Sequence, residues 1–240
     1  MLGQLLATLV GLAAGAALRP VVVALAVPAG EPVSIPCMAC SPCPGATWRP
    51  YALRLLPPGG RCSTCRVRLC APWLPELTTA AAFAAVAAGG TEGWYAAAQY
   101  WLALIGSALL LVDSAVQRLP DALTLPAAVG TFTLLTVASA HHEPGSLGRA
   151  LAAAAAAGVL FTVLALGGMG LGDAKLVISL SALLGWHSWH VALLGLMMSF
   201  LLAAVVAVFL LLARRSTRKS TMAFGPFLII GTLAALLAHS

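Results

Sequence analysis

LAAAAAAGVLFTVLALGGMGLGDAKLVISLSALLGWH, residues 151–187, holds two apolar runs joined by a short glycine-rich, charged break. Leu151 to Leu166 carries no charge, and beyond Lys175 the chain is again apolar as far as Trp186. Runs of this kind read as helices for a lipid environment, because a helix satisfies its backbone groups internally where water is absent. An aspartate in such a setting is costly, by roughly 2.5–3.5 kcal/mol at a helix centre. Asp173, at the break, therefore calls for a reason beyond fold.

The pattern repeats along the chain. Of 240 residues, 61% are hydrophobic and 8% charged, against about 25% charged in a soluble domain. Candidate spans fall at 3–26, 75–90, 95–112, 122–140, 148–167, 174–187, 190–213 and 223–239. The fold class expected is all-α: a polytopic membrane bundle of about eight transmembrane helices. The second and sixth spans are short for a hydrocarbon core about 30 Å thick. Three segments follow: a first transmembrane helix at 1–27, a polar insert at 28–74 and the main bundle at 75–240. Met1 to Val27 lacks a basic leading region and carries Arg19 inside its apolar run, so it reads as a span rather than a cleaved signal.

In such a protein the net charge of +6 reports orientation, and no nucleic acid partner is expected. With eight spans, residues 28–74, 113–121, 168–175 and 214–222 share one side. They hold Arg49, Arg54, Arg61, Arg66, Arg68, Arg118, Lys175, Arg214, Arg215, Arg218 and Lys219, whereas the other side has Arg149 alone. Basic loops stay in the cytosol, which makes the first side cytosolic and both termini external.

All six cysteines lie in the insert: Cys37, Cys40, Cys43, Cys62, Cys65 and Cys70. CMAC and CSTC are C-x-x-C pairs with 21 residues between Cys40 and Cys62. Two such turns can complete a tetrahedral structural zinc site from Cys37, Cys40, Cys62 and Cys65. Zinc would supply folding energy that so small a segment lacks. Cys40 and Cys43 form a competing C-x-x-C. Disulfides become the better reading if the second span does not cross and the insert lies outside.

The acids of the bundle divide by position. Glu92 and Glu143 read as solvated loop acids, Asp121 as a helix cap after Pro120, and Glu76 as an acid at a helix N-terminus. Asp113 and Asp173 are two spans apart and so lie on the same side, each at a helix edge. Two carboxylates brought together share a proton, so that one can serve as base toward water while the other polarises a carbonyl. Gly170 and Gly172 leave room for a peptide backbone and permit unusual dihedrals. Lys175 could balance charge at the site or anchor at the interface. His187 and His190 flank Trp189 in an aromatic belt, and two histidines alone do not define a metal site.

Several ordered blocks resemble the type IV prepilin peptidases, bacterial members of the G-x-G-D intramembrane aspartyl proteases. They are GGRCSTC (59–65) with WLPELTTA (73–80), DSAVQRLPDALTLP (113–126), GMGLGDAKL (168–176) and FGPFLIIG (224–231). The resemblance implies that Asp113 and Asp173 are catalytic; Gly170, Gly172 and Lys175 are the candidate substrate-binding residues beside them. It implies prepilins and pilin-like secretion proteins as substrates. Their short basic leader would be cut at a Gly–X bond on the cytosolic face of the inner membrane. It also implies possible N-methylation of the new terminus with S-adenosylmethionine. Two departures stand out. The insert has no Asn where the family usually has an Asn-Pro stretch, which bears on methyl transfer. Ala115 stands where a second acid often follows the first aspartate, so Asp113 is the single acid of its helix end. The rival class is a non-enzymatic transporter or assembly subunit with the acids as proton relay. Transporters usually place such groups near the bilayer midplane, whereas these sit at one face.

Overall fold

The computed structural model describes residues 2–26, 73–213 and 223–239. The six cysteines, with the expected zinc site, and the basic residues Arg214, Arg215, Arg218 and Lys219 lie outside them. Among the described residues there are eight α-helices and no strand. They are α1 (Leu2–Leu25), α2 (Leu74–Ala88), α3 (Gly93–Val116), α4 (Asp121–Ala140), α5 (Leu147–Leu166), α6 (Leu171–His187), α7 (Trp189–Leu212) and α8 (Gly225–His239).

Local chemistry sets the helix ends. Gln117 takes the left-handed conformation at φ 52, and its N–H donates to the Asp113 carbonyl at 2.8 Å, closing α3. The Ser146 and Ser188 hydroxyls accept from Arg149 N–H at 3.3 Å and Val191 N–H at 3.1 Å, opening α5 and α7 as side-chain N-caps. Glu143 is more than a solvated loop acid. Its two oxygens accept the Trp94 and Tyr95 N–H groups at 2.6 and 2.9 Å, satisfying orphan donors at the start of α3. Asp121 differs from expectation too. Pro120 occupies the cap position, and Asp121 stands in the first turn of α4 with Oδ1 accepting Lys175 Nζ at 2.6 Å.

Successive helices from α2 to α6 reverse direction, so the turns gather at two ends. At one end Ser146 N–H donates to Trp186 O at 3.0 Å, and the His141 ring stacks on Trp94. At the other lie residues 117–120, 167–170 and Phe224. α3 and α6 form the centre and bury Leu102, Leu109, Val112, Leu176, Val177 and Trp186 in one cluster. α5 lies along α6, α4 along α3 and α6, and α8 joins α3, α6 and α7. α7 is inverted in character, leaving Leu193, Met197, Leu201, Val205, Val208 and Leu212 exposed, an outward apolar face suited to lipid tails.

Among the described residues five helices, α1, α3, α4, α5 and α7, are long and apolar enough to cross a membrane. α2 and α8 have 15 residues and α6 has 17, or about 22–26 Å at 1.5 Å per residue. The second and sixth spans are thus short as expected, and the last joins them.

α1 and α2 pack backbone to backbone. A Cβ on Gly11 would stand 2.7 Å from Ala80 Cα, and Gly15 lies as close to Pro75 and Glu76. Arg19 follows at the same four-residue spacing and so shares that face. It forms an ion pair with Glu76; the two residues are 1% and 3% exposed. Glu76 does occupy the first turn of α2, but as a buried partner of Arg19 rather than as a simple terminal acid.

Candidate active site

Asp113 sits in the last turn of α3 and Asp173 in the first turn of α6, at the same end of the bundle. They are 4% and 7% exposed. Both line one cavity of about 360 Å³ with Val116, Gln117, Arg118, Leu119, Gly170 and Gly172. The two carboxylates are near enough to act on each other electrostatically.

Each aspartate is held by backbone. Gly225 N–H, at the start of α8, donates to Asp113 Oδ2 at 3.1 Å. Asp173 N–H donates to Gly170 O at 3.1 Å, which ties the acid to the loop that precedes its helix. Glycine is needed here for proximity. A Cβ on Gly225 would stand 2.7 Å from Asp113 Oδ2, one on Gly170 3.1 Å from Asp173 Oδ2, and one on Gly172 2.8 Å from Leu119 Cβ. Unusual dihedrals are not the reason at Gly170, whose φ is −66. The left-handed glycine of this loop is Gly168, at φ 106.

Lys175 is one turn from the cavity wall. Its ammonium is paired with the Asp121 carboxylate, and both side chains are more than half exposed. Gly225 and Leu119 escaped the sequence reading as site residues. The signal available was FGPFLIIG, a glycine opening the last helix, but nothing local ties it to Asp113, 112 residues away. Among the described residues no group of three or more His, Cys, Asp or Glu could hold a metal ion.

Two buried carboxylates facing one small cavity at one end of the bundle can share a proton and hold a water between them. Polar lining from Gln117 and Arg118 meets apolar walls from Val116 and Leu119.

The profile of the type IV leader peptidase family matches residues 100–212, a range that includes both aspartates. A prepilin leader peptidase/N-methyltransferase of Aeromonas salmonicida (strain A449) is 35% identical over 189 residues, covering 74% of this chain and 62% of its own length. One from Aeromonas hydrophila is 34% identical over 183 residues with the same coverage. One from Pseudomonas aeruginosa is 32% identical over 221 residues, covering 85% of this chain and 72% of its own. The chain thus spans less than two thirds of the Aeromonas relatives. No solved structure matches it. Sequence similarity of this extent, with a family profile whose range includes both aspartates, means that the chain belongs to the type IV leader peptidase family.

Proposed function

We propose that the protein is a membrane aspartic endopeptidase that removes the short basic leader of type IV prepilins and pilin-like secretion proteins. The observation that carries this reading is the single cavity lined by Asp113 and Asp173. In the proposed reaction one carboxylate, ionised, takes a proton from a water as that water attacks the carbonyl carbon of the Gly–X bond. The other, protonated, donates its proton to the carbonyl oxygen, giving a neutral tetrahedral gem-diol. Collapse reforms the carbonyl and breaks the C–N bond. The leaving amine takes one proton, and the pair is left with the single shared proton it began with. Gly170 and Gly172 leave space for an extended chain. Lys175 is the candidate contact for the substrate from outside the cavity.

Finer points rest on the sequence. All eight helices would cross the inner membrane, the short α2, α6 and α8 being accommodated within the bundle, with the aspartate end at the cytosolic face. Basic loop residues support that orientation. Cys37, Cys40, Cys62 and Cys65 would hold one structural zinc, as their spacing supports. The names of the relatives support a second step, transfer of a methyl group from S-adenosylmethionine to the new N-terminal amine.

Co-expression with candidate prepilins, followed by mass measurement of the mature N-terminus, tests both steps. The expected product lacks the leader, and methyl transfer replaces one N-terminal hydrogen by a methyl group, a net gain of one CH2 in mass. An uncut leader with every candidate prepilin contradicts the proposal. Metal analysis of the purified protein should find about one zinc per chain; oxidised cysteines without zinc would contradict that site.

A further inference from the structure

We propose that Leu119 is a positioning residue for the two aspartates, a spacer whose forked side chain sets the start of α6 against the start of α8. The role rests on the proposed protease reaction and adds a residue to it. Leu119 belongs to the link 117–120 between α3 and α4. It is half-buried, packs against the core cluster and lines the aspartate cavity.

The contacts divide between its two methyl groups. A Cβ built on Gly172 would stand 2.8 Å from Leu119 Cβ and 3.4 Å from Cδ1, and one built on Gly225 would stand 3.3 Å from Cδ2. Gly172 immediately precedes Asp173, and Gly225 N–H donates to Asp113 Oδ2 at 3.1 Å. One side chain therefore lies against the backbone beside each acid. Protein interiors are close-packed, so a side chain lodged between two backbones transmits its size to both. Without a Cβ at either glycine, the leucine can come this near.

The spacer is itself held at both ends. Gln117, in the left-handed conformation, donates its N–H to the Asp113 carbonyl. Pro120 has its φ fixed by its ring, and its carbonyl accepts the Leu123 and Thr124 N–H groups at 3.0 and 3.1 Å. Leu119 thus sits on a short link with little freedom. The start of α6 is tied to the start of α4 by the bond from Lys175 Nζ to Asp121 Oδ1. The start of α8 is anchored through Phe224, next to Gly225, whose ring centre lies 5.1 Å from that of Phe200 and 6.0 Å from that of Phe161.

Kinetics of the purified full-length protein on a prepilin in detergent micelles test the role, with rates referred to folded protein by gel filtration and melting curves. Leu119→Ala removes both methyl groups. It should lower kcat at least about tenfold with KM held, since a misplacement of about 1 Å can cost a hundredfold. Leu119→Met, of similar volume, should stay within about threefold of the wild type. Gly172→Ala probes the contact from the other side. Its methyl group meets Leu119 in the wild-type background and should cost at least about tenfold in kcat. In the Leu119→Ala background that methyl group enters vacated space, so the double variant should exceed the product of the two single losses by at least about fivefold. If Leu119→Ala does not fold, Leu119→Val, which draws the methyl groups back by one carbon, carries the same comparison. A wild-type protein that cuts no prepilin would remove the reaction on which the role rests. A wild type that cuts, with kcat unchanged in Leu119→Ala or with Gly172→Ala costing the same in both backgrounds, would overturn the spacer alone.

Discussion

One backbone N–H, that of Gly225, orients the carboxylate of Asp113. A methyl group there would press on Oδ2 at 2.7 Å, and the contact has no flexible partner to absorb it except the acid itself. Misplacement of a reacting group by about 1 Å can cost a hundredfold in rate. Gly225→Ala should therefore slow prepilin processing by about that factor while membrane levels of the protein hold; initial rates on a membrane-embedded prepilin check this. Lys175 makes the opposite case. Its pair with Asp121 is exposed, and such pairs contribute roughly 0–1 kcal/mol. Lys175→Ala should leave the melting temperature nearly unchanged. If the ammonium meets substrate, KM rises with kcat held; unchanged kinetics would limit Lys175 to the interface.

Helices α1 and α2 are joined by the buried Arg19–Glu76 pair across a glycine-packed seam. Removing one partner of a buried pair strands the other charge, at about 3–5 kcal/mol, whereas replacing both by apolar groups is often nearly neutral. Arg19→Met alone should lower the melting temperature sharply in detergent. Arg19→Met with Glu76→Met should recover most of the loss, and a double variant no better than the single one would contradict the pairing. This seam also marks the limit of what the sequence alone discloses. Helix positions were legible to within a few residues because apolar runs, serine caps and prolines act locally. A lone arginine in one apolar run and a lone acid at the head of the next could have been matched, since each needs a partner in lipid. The partnerships of Glu143 with the α3 amides and of Gly225 with Asp113 were not legible. They join residues 48 and 49 or 112 positions apart, and no spacing rule reaches that far. The two aspartates could be read as a pair because the alternation of spans put them on one side and because DSAVQRLPDALTLP and GMGLGDAKL resemble the family's two aspartate blocks.

At the scale of the whole molecule, the bundle has a carboxylate end and a histidine end. We propose, from the basic loops, that the first faces the cytosol. A cysteine at Gly167 should react with a membrane-impermeant thiol reagent only after cells are permeabilised, and a cysteine at Gly148 in intact cells. The reverse pattern would turn the protein over and remove the leader of a prepilin from its reach. The two ends also divide the work. Small residues and backbone amides crowd around the acids at one end, while at the other Arg149, Ser146 and Glu143 tie loops to helix termini. Processing of a prepilin in membranes that contain Asp113→Asn or Asp173→Asn is the measurement closest to the chemistry. Each substitution keeps the side chain's shape and removes its acid, so each alone should abolish cleavage at unchanged protein levels; complete cleavage by either variant would show that the two carboxylates are not the catalytic pair.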